Sequence, residues 1–164
     1  MQDHRNLVRS IMLLAALATV SIVRPATAAD SITVPVSATI QGVCKFNTSP
    51  IPTLYIVNTG SGASGFIDPS LAGNATGTAN LTYSCTKGQA PTLALTGGAS
   101  LTLTGTGAPA PTMVATMSLG AGATGTGFGT APLTVALTGT IASTIYQSAT
   151  LGTYTANQVV TVNP

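Results

Sequence analysis

Residues able to do chemistry are scarce in this 164-residue sequence, and several of them lie in its first 24 positions. Its only histidine is His4, and its three carboxylates are Asp3, Asp30 and Asp68. The cations are Arg5, Arg9, Arg24, Lys45 and Lys87, and there is no Glu or Trp. General acid–base catalysis near neutral pH relies mostly on His, Glu or Asp. Beyond position 29 only Asp30, Asp68, Lys45 and Lys87 remain for such work. A Ser-His-Asp arrangement then lacks its base. A paired-carboxylate glycosidase would need Asp30 and Asp68 brought together, with Asp30 close to a chain terminus. A Ser–Lys pair built on Lys45 or Lys87 has no supporting spacing and is the ordinary pattern of surface lysines. No Gly-x-x-x-x-Gly-Lys-Ser/Thr phosphate loop is present, although Gly120–Gly129 is rich in glycine. These residues predict a protein that is not an enzyme and needs no cofactor.

The first 29 residues have a separate meaning. Arg5 and Arg9 precede the apolar run Ile11–Val23, and Ala26-Thr27-Ala28-Ala29 follows Arg24-Pro25. A basic start, a short apolar core and an A-x-A site make a secretory signal peptide, cleaved after Ala28 or Ala29. The apolar run is shorter than the roughly 20 residues a membrane span needs. No later stretch reaches that length, so no transmembrane segment is expected in the processed chain. The net charge of +2 belongs to the precursor. The processed chain is nearly neutral, with no basic field to hold nucleic acid or anionic lipid. Its aromatics, Phe46, Tyr55, Phe66, Tyr83, Phe128, Tyr146 and Tyr154, are scattered without basic interleaving. They read as packing residues and not as a stacking platform for nucleic acid.

Cys44 and Cys85 are the only cysteines. In an exported chain an even pair predicts a disulfide, and no His or Glu is left to complete a metal site. Closing a loop of about 40 residues stabilises a fold by roughly 3–4 kcal/mol in the chain-entropy description. Asn47-Thr48-Ser49, Asn74-Ala75-Thr76 and Asn80-Leu81-Thr82 match the N-glycosylation pattern, which arises readily by chance in a Thr-rich chain.

The elements that must position these residues are strands. About 135 residues follow the leader, enough for one domain. They are rich in Thr, Val, Ala and Gly, with high apolar content and low charge, the reverse of a disordered composition. Ser31–Ile40 alternates strictly, with Ile32, Val34, Val36, Ala38 and Ile40 on one face. Further strands are expected at Val43–Asn47, Leu54–Val57, Thr78–Thr86, Thr112–Leu119, Leu133–Leu137 and Gln158–Val162. Thr92–Thr96 and Leu101–Thr104 read as a hairpin across Gly97-Gly98. Asn58–Ala75 reads as a long loop, Lys87-Gly88 as a turn and Gly120–Gly129 as a flexible connector. No window supports a helix of useful length. Short strands with regular turn signals predict an all-β sandwich of about seven strands.

Three stretches carry a resemblance: VSATIQGVCKF, FIDPSLAGNATGTANLTYSCTKG and LTVALTGTIASTIYQSATLGTYTANQVVTVNP. In this order and with this cysteine spacing, the chain resembles the spore coat protein U domain of archaic chaperone–usher pilins. The stretch around Thr112–Phe128 departs from that family, carrying Thr, Ala and Gly in place of a polar strand with aromatics and charges, and Asn163-Pro164 replaces its usual apolar or aromatic strand end. The resemblance implies an immunoglobulin-like sandwich lacking its last strand. It implies a periplasmic chaperone that fills the gap, an outer-membrane usher, and a neighbouring copy or related pilin that finally supplies the strand. The chain would then divide into a leader at 1–29, a donor extension at 30–41 and a pilin-like domain at 42–164. Ile32, Val34, Val36, Ala38 and Ile40 would make the subunit–subunit contacts, and the product would be a cell-surface fimbrium. Its near-neutral, Thr-rich surface suits adhesion and biofilm formation. The alternative is a monomeric secreted coat or adhesin module that uses Ser31–Ile40 as its own first strand.

Overall fold

Alternation of apolar and hydroxyl side chains sets the layers of this protein. A computed structural model describes residues 31–47 and 49–164. The leader at 1–29 and Asp30 lie outside the described residues. Residues 39–164 belong to one compact unit. Its strands are β1 (Cys44–Phe46), β2 (Ala75–Cys85), β3 (Thr92–Thr96), β4 (Ser100–Gly105), β5 (Thr112–Leu119), β6 (Leu133–Ile141), β7 (Tyr154–Thr155) and β8 (Val159–Asn163). A single helical turn, α1 (Ser143–Tyr146), is the only α-helix among the described residues. The protein is all-β, as its alternation predicts.

Six strands form one antiparallel sheet in the order β1-β2-β6-β5-β4-β7, and β3 pairs with β8 in a second, two-stranded sheet. The two sheets face each other across an apolar interior in a sandwich-like arrangement. Ala75, Ala79, Tyr83 and Cys85 of β2 point inward, with Val135, Leu137 and Ile141 of β6 and Met113, Ala115 and Met117 of β5. Their strand neighbours point outward, because successive side chains alternate across a pleated sheet. Thr76, Thr140, Thr116 and Ser100 lie opposite one another in a single row across β2, β6, β5 and β4. The outward positions of these four strands carry no charged side chain.

The expected hairpin of Thr92–Thr96 with Leu101–Thr104 is not formed. β3 pairs with β8 and β4 pairs with β5, so the chain crosses between sheets at Gly97-Gly98. Both glycines have positive φ, 90° and 84°, which a corner uses as readily as a two-residue hairpin turn. Leu93 and Leu95 then meet the interior from the second sheet, and Leu101 and Leu103 from the first. Two strands are longer than alternation alone predicts: β2 begins at Ala75, and β6 continues through Gly139 to Ile141. Gly120–Gly129 is no slack connector. Gly88 N–H donates to the Gly125 carbonyl, Gly125 N–H to that of Gln89, and Gly127 N–H to that of Cys85, at 2.8, 2.7 and 3.1 Å. The Tyr83 hydroxyl accepts from the Ala123 amide at 2.7 Å, which fixes the loop to β2.

Gly77 and Gly139 stand directly opposite each other on β2 and β6. Together they make a notch in the inner face of the large sheet. The segment leading to Val57 lies in it, so a Cβ on Gly77 would sit 2.0 Å from the Tyr55 carbonyl oxygen. A Cβ on Gly139 would meet Ile56 Cδ1 at 2.7 Å. Gly77→Val is expected to destabilise the fold by about 3 kcal/mol, since backbone must move to admit the side chain. Gly129→Ala, with open space at its Cβ, should change stability by less than about 0.5 kcal/mol. Urea denaturation of the two variants side by side checks this, and equal midpoints would count against the notch.

Candidate functional site

Cys44 and Cys85 face each other across β1 and β2 and are joined, with Cα atoms 4.1 Å apart and an S–S distance of 2.02 Å. Backbone bonds bracket the bridge: Thr86 N–H donates to the Val43 carbonyl at 2.9 Å, and Asn47 N–H to that of Thr82 at 2.8 Å. Phe46 packs edge-on against buried Tyr83, with ring centroids 6.5 Å apart. This is the cystine end of the domain. The Thr86 hydroxyl accepts from Val43 N–H and donates to the Gln41 carbonyl, so the start of the domain is held here.

Beyond Asn47 the chain leaves the sheet. Ser49-Pro50 is a cis peptide, and Pro52 follows two residues later. Proline supplies no N–H, and it disfavours ladder pairing on either side of itself. Ile51–Val57 then runs toward the opposite end of the domain, where Val57 exchanges two backbone bonds with Thr76 at 3.0 Å. The expected strand Leu54–Val57 is therefore a run held by a single bridge. No backbone hydrogen bond is made by residues 51–56 among the described residues.

Between this run and the approach to β8 lies an open apolar groove of about 1060 Å³. Leu101, Leu103, Met113, Met117, Leu137 and Ile141 form its floor. Ile51, Leu54 and Ile56 line one wall, while Leu151, Tyr154 and Ala156 line the other. No charged residue lines it. One end is closed around Tyr146, whose hydroxyl donates to the carbonyls of Leu71 and Gly73 and accepts from Asn58 Nδ2. Among the described residues β8 has β3 on one edge and no strand on the other, and Val159 stays exposed. Burying apolar area drives folding, so an open apolar channel of this size, bounded by residues 51–57 and 149–158, leaves inward-facing side chains of β4, β5 and β6 accessible.

The alternating segment takes no part in either sheet. Residues 31–38, described by themselves, contain no strand or helix. Ile32 is 88% exposed and Val36 90%, and Val34, Ala38 and Ile40 are exposed too. Lys45 and Lys87 are exposed at the cystine end. Asp68 lies at the other end, its backbone N–H bonded to Asn58 Oδ1 at 2.7 Å. Hydrogen bonds from the Ser70 hydroxyl and amide to Asp68 Oδ1 hold its carboxyl below the ordinary range, which keeps it charged. Asn74 and Asn80 of the glycosylation patterns are exposed, as is Asn47. No family model, curated protein or solved structure matches this chain.

Sequence reasoning does not mark the groove residues. Leu101, Met113 and Leu137 fall on inward faces by alternation, which marks a core position but not a vacant one. The signal that bears on the groove is the proline pair, Pro50 and Pro52, ahead of an apolar run, residues 51–56, that no ladder captures.

Proposed function

We propose that this protein is a non-catalytic structural subunit that polymerises into a surface fibre by lending residues 31–40 to the groove of the next copy. The observation that carries the reading is the coexistence of an unfilled apolar groove and an unpaired, alternating apolar segment in one chain. An inserted strand would lie in this groove beside residues 51–56, reach toward the free edge of β8 just beyond Gln158, and cover the floor of β4, β5 and β6. This is strand addition, in which main-chain bonds supply affinity and alternate side chains supply fit.

The dimensions suit it. Ile32 to Ile40 spans roughly 27 Å as a strand, within the roughly 34 Å of an eleven-residue strand such as β2. Burying the Val and Ile side chains gives about 1.5–3 kcal/mol each, on the order of 10 kcal/mol before ordering costs. Pro35 points away from the apolar face and removes one ladder bond. The reading agrees with the resemblance to archaic chaperone–usher pilins. It extends to a periplasmic chaperone that covers the groove after export, an outer-membrane usher, and a fimbrium serving adhesion and biofilm growth.

The test is negative-stain microscopy of material sheared from cells that express the full chain. Fibres labelled by an antibody to this protein are the expected result. Deleting residues 30–40 should abolish them while leaving a folded, disulfide-bonded domain that accumulates with a chaperone. A deletion variant that loses its own cooperative unfolding, with no fibres from the parent chain, would identify a monomeric module instead.

A further inference from the structure

The described side-chain charges lie at opposite ends of the domain, Lys45 and Lys87 at one and Asp68 at the other. Lys45 pairs in register with Ser84 and Lys87 follows Thr86, so both cations sit at the cystine end. Asp68 is tied through Asn58 to the region where Val57 meets Thr76. Thr76 and Ser84 are eight residues apart on β2, roughly 27 Å. The segment preceding Val43 leaves from the cystine end, since Gln41 and Val43 are bonded to Thr86 there.

An incoming strand could enter the groove in either direction. Residues 51–56 run away from the cystine end, whereas β8 runs toward it, because Asn163 lies opposite Thr92 and Val162 packs with the Cys85 cluster. A strand between them is antiparallel to one and parallel to the other whichever way it points. The modest difference between the two ladder types therefore nearly cancels. Charge does not cancel. Insertion antiparallel to β8 places Ile40 at the Asp68 end of the acceptor and brings the donor's Lys45 and Lys87 against it. The reverse direction places two cystine ends together, with four lysines and no side-chain carboxylate.

We infer that Lys45 and Lys87 of one subunit dock on the Asp68 loop of the next, and that this contact selects the direction of strand insertion. The inference rests on the strand-lending reading above and adds a second contact to it. Asp68 is prepared for the role: Ser70 occupies Oδ1, while Oδ2 has no partner among the described residues. Exposed ion pairs add little affinity, but complementary charge steers encounter and suppresses the wrong orientation.

Carbodiimide cross-linking of fibres grown from a mixture of ¹⁵N-labelled and unlabelled subunits tests it. The expected product is a mixed-isotope peptide joining Asp68 to Lys45 or Lys87, absent from Asp68→Asn fibres. Asp68→Lys should slow assembly about fivefold at low salt. Combining it with Lys45→Asp and Lys87→Asp in one chain should restore the rate to within about twofold, because the ends are complementary again. Fibres that give no such peptide, or a triple variant no faster than Asp68→Lys, would overturn the docking while leaving strand lending intact. Wild-type subunits that never assemble would overturn both.

Discussion

Replacing Val34 and Val36 with aspartate should lower fibre yield at least a thousandfold while leaving the domain's unfolding midpoint unchanged. Both side chains are exposed in the subunit, so the variant loses no packing before assembly. In the assembled state the same positions would enter a groove without a charged residue. Losing two buried valines removes about 3–6 kcal/mol, and carrying carboxylates into that lining costs several more. A tenfold change corresponds to about 1.4 kcal/mol, so a thousandfold effect is a conservative expectation. A synthetic peptide of residues 31–40 provides the complementary measurement. Added to the domain lacking its own extension, it should raise the thermal midpoint, and the aspartate-substituted peptide should not. Unchanged fibre yield in the double variant, or an inert wild-type peptide, would remove the strand-lending reading.

The second large effect belongs to the cystine. Changing Cys44 and Cys85 together to alanine should reduce unfolding free energy by about 3–4 kcal/mol, a large part of the 5–15 kcal/mol typical of a domain. The geometry explains why little would replace it. β1 is only three residues long and lies at the edge of its sheet, and among the described residues the run after it makes no bridge until Val57. Without the disulfide the stretch 39–56 is held by the bonds of β1, the flanking contacts of Gln41, Val43 and Asn47 with Thr82, Ser84 and Thr86, and the notch over Gly77. Urea denaturation of the double variant gives the number directly. A loss under about 1 kcal/mol would mean that the edge holds without covalent help.

Much of this architecture is legible in the amino-acid sequence. The phase of Leu81, Tyr83 and Cys85 on β2, the alternation of β5 and the pairing of the two cysteines all emerge from residue type and spacing. Strand partners do not. Alternation assigns a side chain to a face, and Leu93, Leu95, Leu101 and Leu103 face the same interior whether their strands are neighbours or lie in opposite sheets. Glycine hides strand as well: Gly77 and Gly139 carry no side chain to mark an inward position, yet both sit inside ladders. Least legible is the groove, because it is a space between elements and not a pattern along any one of them. Its floor residues look like any core. Only the unpaired course of residues 51–56 and the single partner of β8 set them apart.

The row of Thr76, Thr140, Thr116 and Ser100 has a consequence at a larger scale. A filament built from such faces would present hydroxyl and methyl groups over most of its length and almost no ionised ones. Adjacent filaments would meet without an electrical double layer to hold them apart. Lateral bundling should then be nearly indifferent to ionic strength, governed instead by hydration of neutral hydroxyls, and a mat of these fibres would stay cohesive in fresh water and brine alike.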